Sequence, residues 1–328
     1  MSKRRDEPII QKEKRKISLR LAFLVLILLL MSNVATYYFF SVDRKYQKEN
    51  IKNKYKLLDP SQGIYDKNDL IVNFQPLRDR LNTYEKNADY DIGIYLEYLP
   101  TGANIVVNKD KAMWPASLLK IPVAMAVMKK VELGEWKLTN ELVLLAEDKN
   151  AEYGTDYTYP VGTRFTIDKL LRETLINSDN TAYFILLRNL EPEELLNVYD
   201  HLGLDDIRDR RTDKLSAKRY SIFFRSLFMS SFLAPENSQF ILDILDESIH
   251  KDFLLSGMPP GTTFTHKIGV QAEKKTFSDS GIVYLPDRPY ILTVMIEGKN
   301  DKATEAGAKK LMGQISKQAY DYISGYHE

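Results

Sequence analysis

The chain has 328 residues, room for one large domain or two small ones, and sets 46 Lys and Arg against 45 Asp and Glu for a formal charge of +1. At 44% hydrophobic and 28% charged it is neither disordered nor of low complexity, and without cysteine it has no disulfide, thiolate metal site, iron–sulfur cluster or cysteine nucleophile. The charge is unevenly placed: residues 1–20 carry +5, residues 21–40 none and residues 41–60 +3, leaving −7 for the rest, which argues against nucleic-acid binding through Lys and Arg.

Residues 1–20 read as a basic cytoplasmic tail. Leu21 to Phe40 is twenty residues without a charge, which as a helix rises roughly 30 Å, the thickness of a bilayer core. Tyr37, Tyr38, Phe39 and Phe40 close it with rings suited to the membrane interface. A cleaved signal peptide is the rival reading, but a cut after Ala35 puts Asn33 where a small residue is required. The expectation is one uncleaved transmembrane anchor over residues 21–40. The excess of basic residues before the span places the N-terminus inside. Residues 41–68 read as a stalk or linker, helical or simply solvated, with Asp59-Pro60-Ser61-Gln62-Gly63 as a break.

Residues 69–328 form the body. A helical pattern runs from Asp69 to about Lys86, then Tyr90 to Leu99 alternates as a strand. Pro100-Thr101-Gly102 turns the chain into a second strand over Ala103 to Asn108. From Ser117 to about Glu247 the period is helical. Thr262 to Val270, Phe277 to Leu285 and Tyr290 to Glu297 read as three strands, and Asp301 to Ile323 as a closing amphipathic helix. Strands at both ends of a helical middle predict one five-stranded antiparallel sheet with an inserted all-helical subdomain, an α/β sandwich.

Ser117 and Lys120 stand at the start of a helix that is apolar nearly all round, from Leu118 through Met128. Pro122 fixes its start, because proline is tolerated only in the first turn. An all-apolar helix is buried. Lys120 therefore meets an apolar environment, which lowers an amine's pKa. A neutral amine one turn from a serine hydroxyl can take its proton and make a nucleophile without histidine. The alternative is that Ser117 only caps the helix and Lys120 reaches out to water. The same spacing recurs at Ser248-Ile249-His250-Lys251, at what reads as a helix end. Ser178-Asp179-Asn180 lies between two helices and by itself is a turn; Lys267-Ile268-Gly269 lies on the late strand.

Taken in order, Ser-x-x-Lys at a buried helix start, Ser-Asp-Asn on an interhelix turn and Lys-x-Gly on a late strand resemble the active-site signature of penicillin-binding proteins and class A β-lactamases. The resemblance covers about residues 69–325 and implies the β-lactamase/transpeptidase-like fold. It implies Ser117 as the acylated nucleophile and Lys120 as the group that helps deprotonate it. It implies Ser178 as a proton relay, Asn180 as the holder of the substrate amide, and Lys267 as the support of Ser178. The backbone of Ser117 and Val270, beside Gly269, would form the oxyanion hole. Ile268 departs from the family's usual Thr or Ser and offers no hydroxyl to a substrate carboxylate. Glu193-Glu194-Leu195-Leu196-Asn197 has the letters of the family's deacylating glutamate, but falls only 15 residues after Ser178, less than half the family spacing. It reads better as a helix start after Pro192. Leu204 to Ser216, where that loop belongs, contains no glutamate and reads as a charged turn.

The four histidines make no metal-ligand spacing, and His266 alternates to the strand face opposite Lys267, into the core. Tyr153, Tyr157 and Tyr159 form either a loop clasp or a wall of the cleft. The resemblance implies a serine hydrolase, expected as a monomer, and with the anchor over residues 21–40 it is expected at the cell membrane with its catalytic domain outside the cytoplasm. Its acyl donor is a β-lactam or a peptidoglycan stem peptide of the D-Ala-D-Ala kind, with no metal or organic cofactor. D,D-peptidase and a non-catalytic peptidoglycan- or β-lactam-sensing module remain as alternatives.

Overall fold

The computed structural model describes residues 23–38, 42, 56–57, 73–207 and 214–325. The chain divides into two units, Met1–Lys54 and Tyr55–Glu328. In the first, residues 23–38 form helix α1. Among the described residues no helix is long and apolar enough to cross a membrane. The expected span of twenty residues is thus helical over its inner sixteen, a rise of about 24 Å. Its four end residues, the basic tail and nearly all of the expected stalk lie outside the described residues.

The second unit is built on a five-stranded antiparallel sheet, β1 (Tyr90–Tyr98), β2 (Ala103–Val107), β5 (Phe264–Gln271), β6 (Thr276–Val283) and β7 (Tyr290–Gly298), in the order β2-β1-β7-β6-β5. Early and late strands join at β1 and β7, in register from Tyr90 opposite Gly298 to Tyr98 opposite Tyr290. One sheet face packs on α2 (Gln75–Asn82) and α10 (Glu305–Ser324), with Leu77, Leu81, Met312 and Ile315 fully buried. The opposite face meets α7 (Ala217–Tyr220), α8 (Ile222–Met229) and α9 (Pro235–Asp246).

The helical part centres on α3 (Lys120–Glu132), in which every residue from Lys120 to Met128 is buried. It packs against α4 (Ile167–Ile176), α5 (Asn180–Arg188), α6 (Pro192–His201) and α9. This fulfils the all-round apolar pattern and explains why no polar stripe interrupts it. Pro122 is the third residue of α3, within the first turn where an absent N–H costs nothing. One feature escaped the sequence pattern: β3 (Glu141–Val143) and β4 (Arg164–Thr166) form a separate two-stranded sheet inside the helical stretch. Three residues are too few to display an alternation. Helix α2 starts later than the Asp69 pattern suggested and is followed by a 3-10 turn over Thr83–Lys86.

Candidate active site

Ser117 precedes α3 in a 3-10 turn, Ala116–Leu119, rather than in the α-helix itself. Ala116 holds a left-handed φ of 49°, a conformation that costs a non-glycine residue free energy and clusters at functional sites. Two contacts hold the turn in place. The buried Tyr220 hydroxyl donates to the Leu118 carbonyl at 2.8 Å. On the other side β5 presses so close that a Cβ on Gly269 would stand 2.5 Å from the Pro115 carbonyl oxygen, so glycine is required there.

Lys120 Nζ lies 3.3 Å from Ser117 Oγ, 3.1 Å from Ser178 Oγ and 2.7 Å from Asn180 Oδ1. Lys267 Nζ donates to Ser178 Oγ at 2.8 Å and to the Ile268 carbonyl at 3.3 Å. The Ser178 hydroxyl therefore sits between two lysines, which are 2% and 1% exposed. Their hydrogen-bond acceptors here are neutral. Burial pushes the Lys120 amine well below its usual value, and the nearby Lys267 pushes it the same way. Burial takes Lys267 down to about 7 against a partial pull upward from Asp279. Such a site favours uncharged amines, one of which stands within reach of a serine hydroxyl.

Ser178 also adopts a left-handed φ, 56°, between α4 and α5. Asp179 caps α5 through the Ala182 N–H at 2.8 Å, and its other oxygen accepts the N–H groups of Thr155 and Asp156 at 2.7 and 2.9 Å. This fully buried carboxylate ties the 150–158 loop to the turn. Gly154, with φ 85°, passes so close that a Cβ would fall 1.9 Å from Asp179 Oδ2. Asn180 is held from the same loop: its Nδ2 donates to Asn150 Oδ1 at 2.9 Å. Behind the loop, Asp156, Glu173 and Asp179 form the one group of described residues spaced to hold a metal ion, with carboxylate atoms within 4.8 Å. Lys169 Nζ pairs with Asp156 at 3.6 Å and supplies countercharge there.

β5 is an edge strand. The Ile268 carbonyl faces Lys267 Nζ rather than β6, and the Thr263 carbonyl accepts from Tyr284. By the alternation of an antiparallel ladder, Val270 directs its N–H the same way as Ile268, outward at the edge. The Ile268 side chain is 3% exposed and joins the core on the α10 face, so it presents nothing to the cleft.

Ser117, Lys120, Asn180 and Val270 line one cavity of about 740 Å³. Its walls include Trp114, Tyr153, Tyr183 and Phe184, together with Glu147 and Glu152. Sequence reading found neither the carboxylates nor Asn150; no local pattern marks them, and only the fold brings their loop to the cleft. Of the two readings for the tyrosines, Tyr153 takes the cleft wall. Tyr159 instead clasps the loop, edge-on to Phe165 and under Lys169, and Tyr157 is absent from the cavity wall. Glu193 is exposed on α6 and absent from that wall, while Glu194 pairs with Lys130 and completes the capping box with Glu191. His266 faces the core, with Nδ1 2.8 Å from Asp279 Oδ1 and the ring stacked on Phe264.

The model of a beta-lactamase enzyme family matches residues 76–323. Among curated relatives, Beta-lactamase VEB-1 of Pseudomonas aeruginosa is 20% identical over 66% of this chain and 80% of its own. A beta-lactamase of Streptomyces cellulosae is 24% identical over 72% and 81%. Among solved structures, PBP-A superposes with a TM-score of 0.69 at 21% identity over 77% of this chain and 97% of that one, and a mutant of it forms an acyl-enzyme complex with penicillin G. A beta-lactamase from Sphaerobacter thermophilus DSM 20745 gives 0.69 at 20% identity, over 78% and 99%.

Proposed function

We propose that this chain, which belongs to the beta-lactamase enzyme family, is a membrane-anchored serine hydrolase acylated at Ser117 by β-lactams or D-Ala-D-Ala-like peptides, and that it deacylates slowly. Serine hydrolase activity of the β-lactamase type is supported by the family match and the relatives. The observation that carries the reading is the buried, destabilised amine of Lys120 at 3.3 Å from Ser117 Oγ.

In the reading that follows, Lys120 takes the Ser117 hydroxyl proton as Oγ bonds to the acyl carbon. The developing oxyanion faces the N–H groups of Ser117 and Val270, each such donor being worth roughly 3 kcal/mol. When the C–N bond breaks, the leaving nitrogen takes a proton from Ser178 Oγ, which is replenished from the lysines bonded to it at 2.8 and 3.1 Å. The product is an ester on Ser117. Its hydrolysis needs a water and a base. Glu193 is exposed on a helix, and the 204–216 stretch has no glutamate. Lack of a dedicated base costs about 10²–10⁴ in rate, or ~3–5 kcal/mol of barrier. This favours a D,D-peptidase or penicillin-binding role as the second reading.

Anchoring rests on the uncharged run of residues 21–40, with its aromatic end and basic flank. It would place the catalytic unit outside the cytoplasm, where peptidoglycan substrates are met. The test is fluorescent penicillin added to the full-length protein, with label gain and loss followed separately. Stoichiometric label that persists long after its formation is expected. No covalent label would overturn the reading.

A further inference from the structure

We propose that the cleft selects acyl donors whose acyl-half substituent carries a positive charge, an ammonium or a guanidinium, through Glu147 and Glu152 among aromatic rings. The inference rests on the acyl-transfer reading above and names the substrate class of that same site.

The charges around the cavity are unequally committed. Arg188, its guanidinium, bonds to both oxygens of Asp148 at 2.8 and 2.9 Å and to the Val143 carbonyl at 2.8 Å. Lys120 is enclosed by Ser117, Ser178 and Asn180, and Lys267 by Ser178 and Ile268. Arg188, Lys120 and Lys267 are thus engaged or sealed from the cleft, and the exposed Lys274 stands over the Trp114 ring at 4.6 Å. Glu147 and Glu152 are exposed on the cavity wall, and neither carboxylate has an ion pair or hydrogen bond among the described residues.

The rings of Tyr153, Tyr183 and Phe184 line the same cavity. Aromatic faces attract cations, and the Tyr183 ring already lies 5.7 Å from Lys120 Nζ. Glu152 and Tyr153 belong to the loop whose Asn150 holds Asn180. A substituent extending past the Asn180 amide therefore meets this part of the wall. An anionic substituent would meet two carboxylates. Ile268 withholds the hydroxyl that would recognise a carboxylate, and Lys267, the cation of β5, is 1% exposed and bonded to Ser178.

The experiment compares three penicillins with one nucleus and side chains that are neutral, amine-bearing or carboxylate-bearing. Second-order acylation rates of the full-length protein are read from intact mass at low salt. The expected order is amine, neutral, carboxylate, with steps of roughly tenfold, the size of a single favourable charge or cation–π contact. In Glu147→Gln and Glu152→Gln, and most in the double variant, the amine-to-neutral ratio falls toward one. The ratio is internal to each protein, so an unstable variant does not mimic the result. Equal rates for all three penicillins, or a ratio untouched in the double variant, overturn the cation preference alone. No label from any of them overturns the acyl-transfer reading and this inference with it.

Discussion

The spacing Ser-x-x-Lys occurs at Ser117–Lys120 and again at Ser248–Lys251, and the two places share almost nothing else. Ser117 opens onto a cavity from a 3-10 turn, and its lysine begins a helix buried on every side. Ser248 lies past the end of α9, 5% exposed, with its Oγ taking the His250 N–H at 3.4 Å. Lys251 is exposed. The contrast teaches that the spacing supplies proximity at most. What makes the pair chemically useful is the loss of solvent around the amine and a space in front of the hydroxyl.

The largest test of that contrast removes each serine. Ser117→Ala should lose the penicillin adduct, a fall on the order of 10⁶ in acylation, while Ser248→Ala keeps it. Intact-mass analysis decides, and an adduct persisting in Ser117→Ala would erase the distinction. Next come the lysines. Lys120→Arg replaces an amine that can be neutral with a group that cannot, so acylation should slow about 10²–10⁴-fold. Lys251→Arg is a surface change within ~0.5 kcal/mol. Stopped-flow rates for both variants would show whether burial is the deciding variable. In the native protein acylation should also decline as pH falls through the lowered Lys120 pKa, because the protonated amine cannot accept the serine proton.

A thermodynamic version uses Lys267, whose pKa is down to about 7 in the fold and is near 10.4 in an unfolded chain. Between those values the unfolded chain holds a proton that the folded chain has released. Stability therefore rises with pH across that window and is lost as pH falls toward 7. Urea midpoints at pH 7, 8 and 9 should climb, Lys267→Met should reduce the climb to the part contributed by Lys120, and Lys251→Met should leave it unchanged. The smallest effect is expected from Glu193→Gln, which should leave ester release unchanged. A release rate cut by orders of magnitude would show that this exposed glutamate reaches the ester after all.

Much of this was legible before folding. β1 alternates, the three late strands stand between tight connections, α3 is apolar all round, and Pro122 marks its start, so hydrophobic period and proline chemistry placed Ser117 and Lys120. The order of the three motifs did the rest for Ser178, Asn180 and Lys267. The remainder was invisible for physical reasons. The left-handed conformations of Ala116 and Ser178 sit on residues with no preference for them. Glu147, Asn150 and Glu152 belong to a stretch held by contacts distant in sequence, Arg188 on Asp148, Asn180 on Asn150, and Asp179 on Thr155 and Asp156. β3 and β4 are three residues each and leave no period to read.

The pairing of β1 with β7 has a consequence in time. Tyr90 finds Gly298 only after nearly the whole unit has been made, and Lys267 reaches Ser178 across 89 residues. Contacts of such separation must pay loop-closure entropy before they are rewarded, and chains rich in them fold slowly. Helix α3 and its helical neighbours can collapse earlier, but a serine between two lysines exists only once the late strands have docked. Competence to take a penicillin label should thus appear after most helical signal has returned in a refolding trace, which makes the active site a clock for the last step of folding.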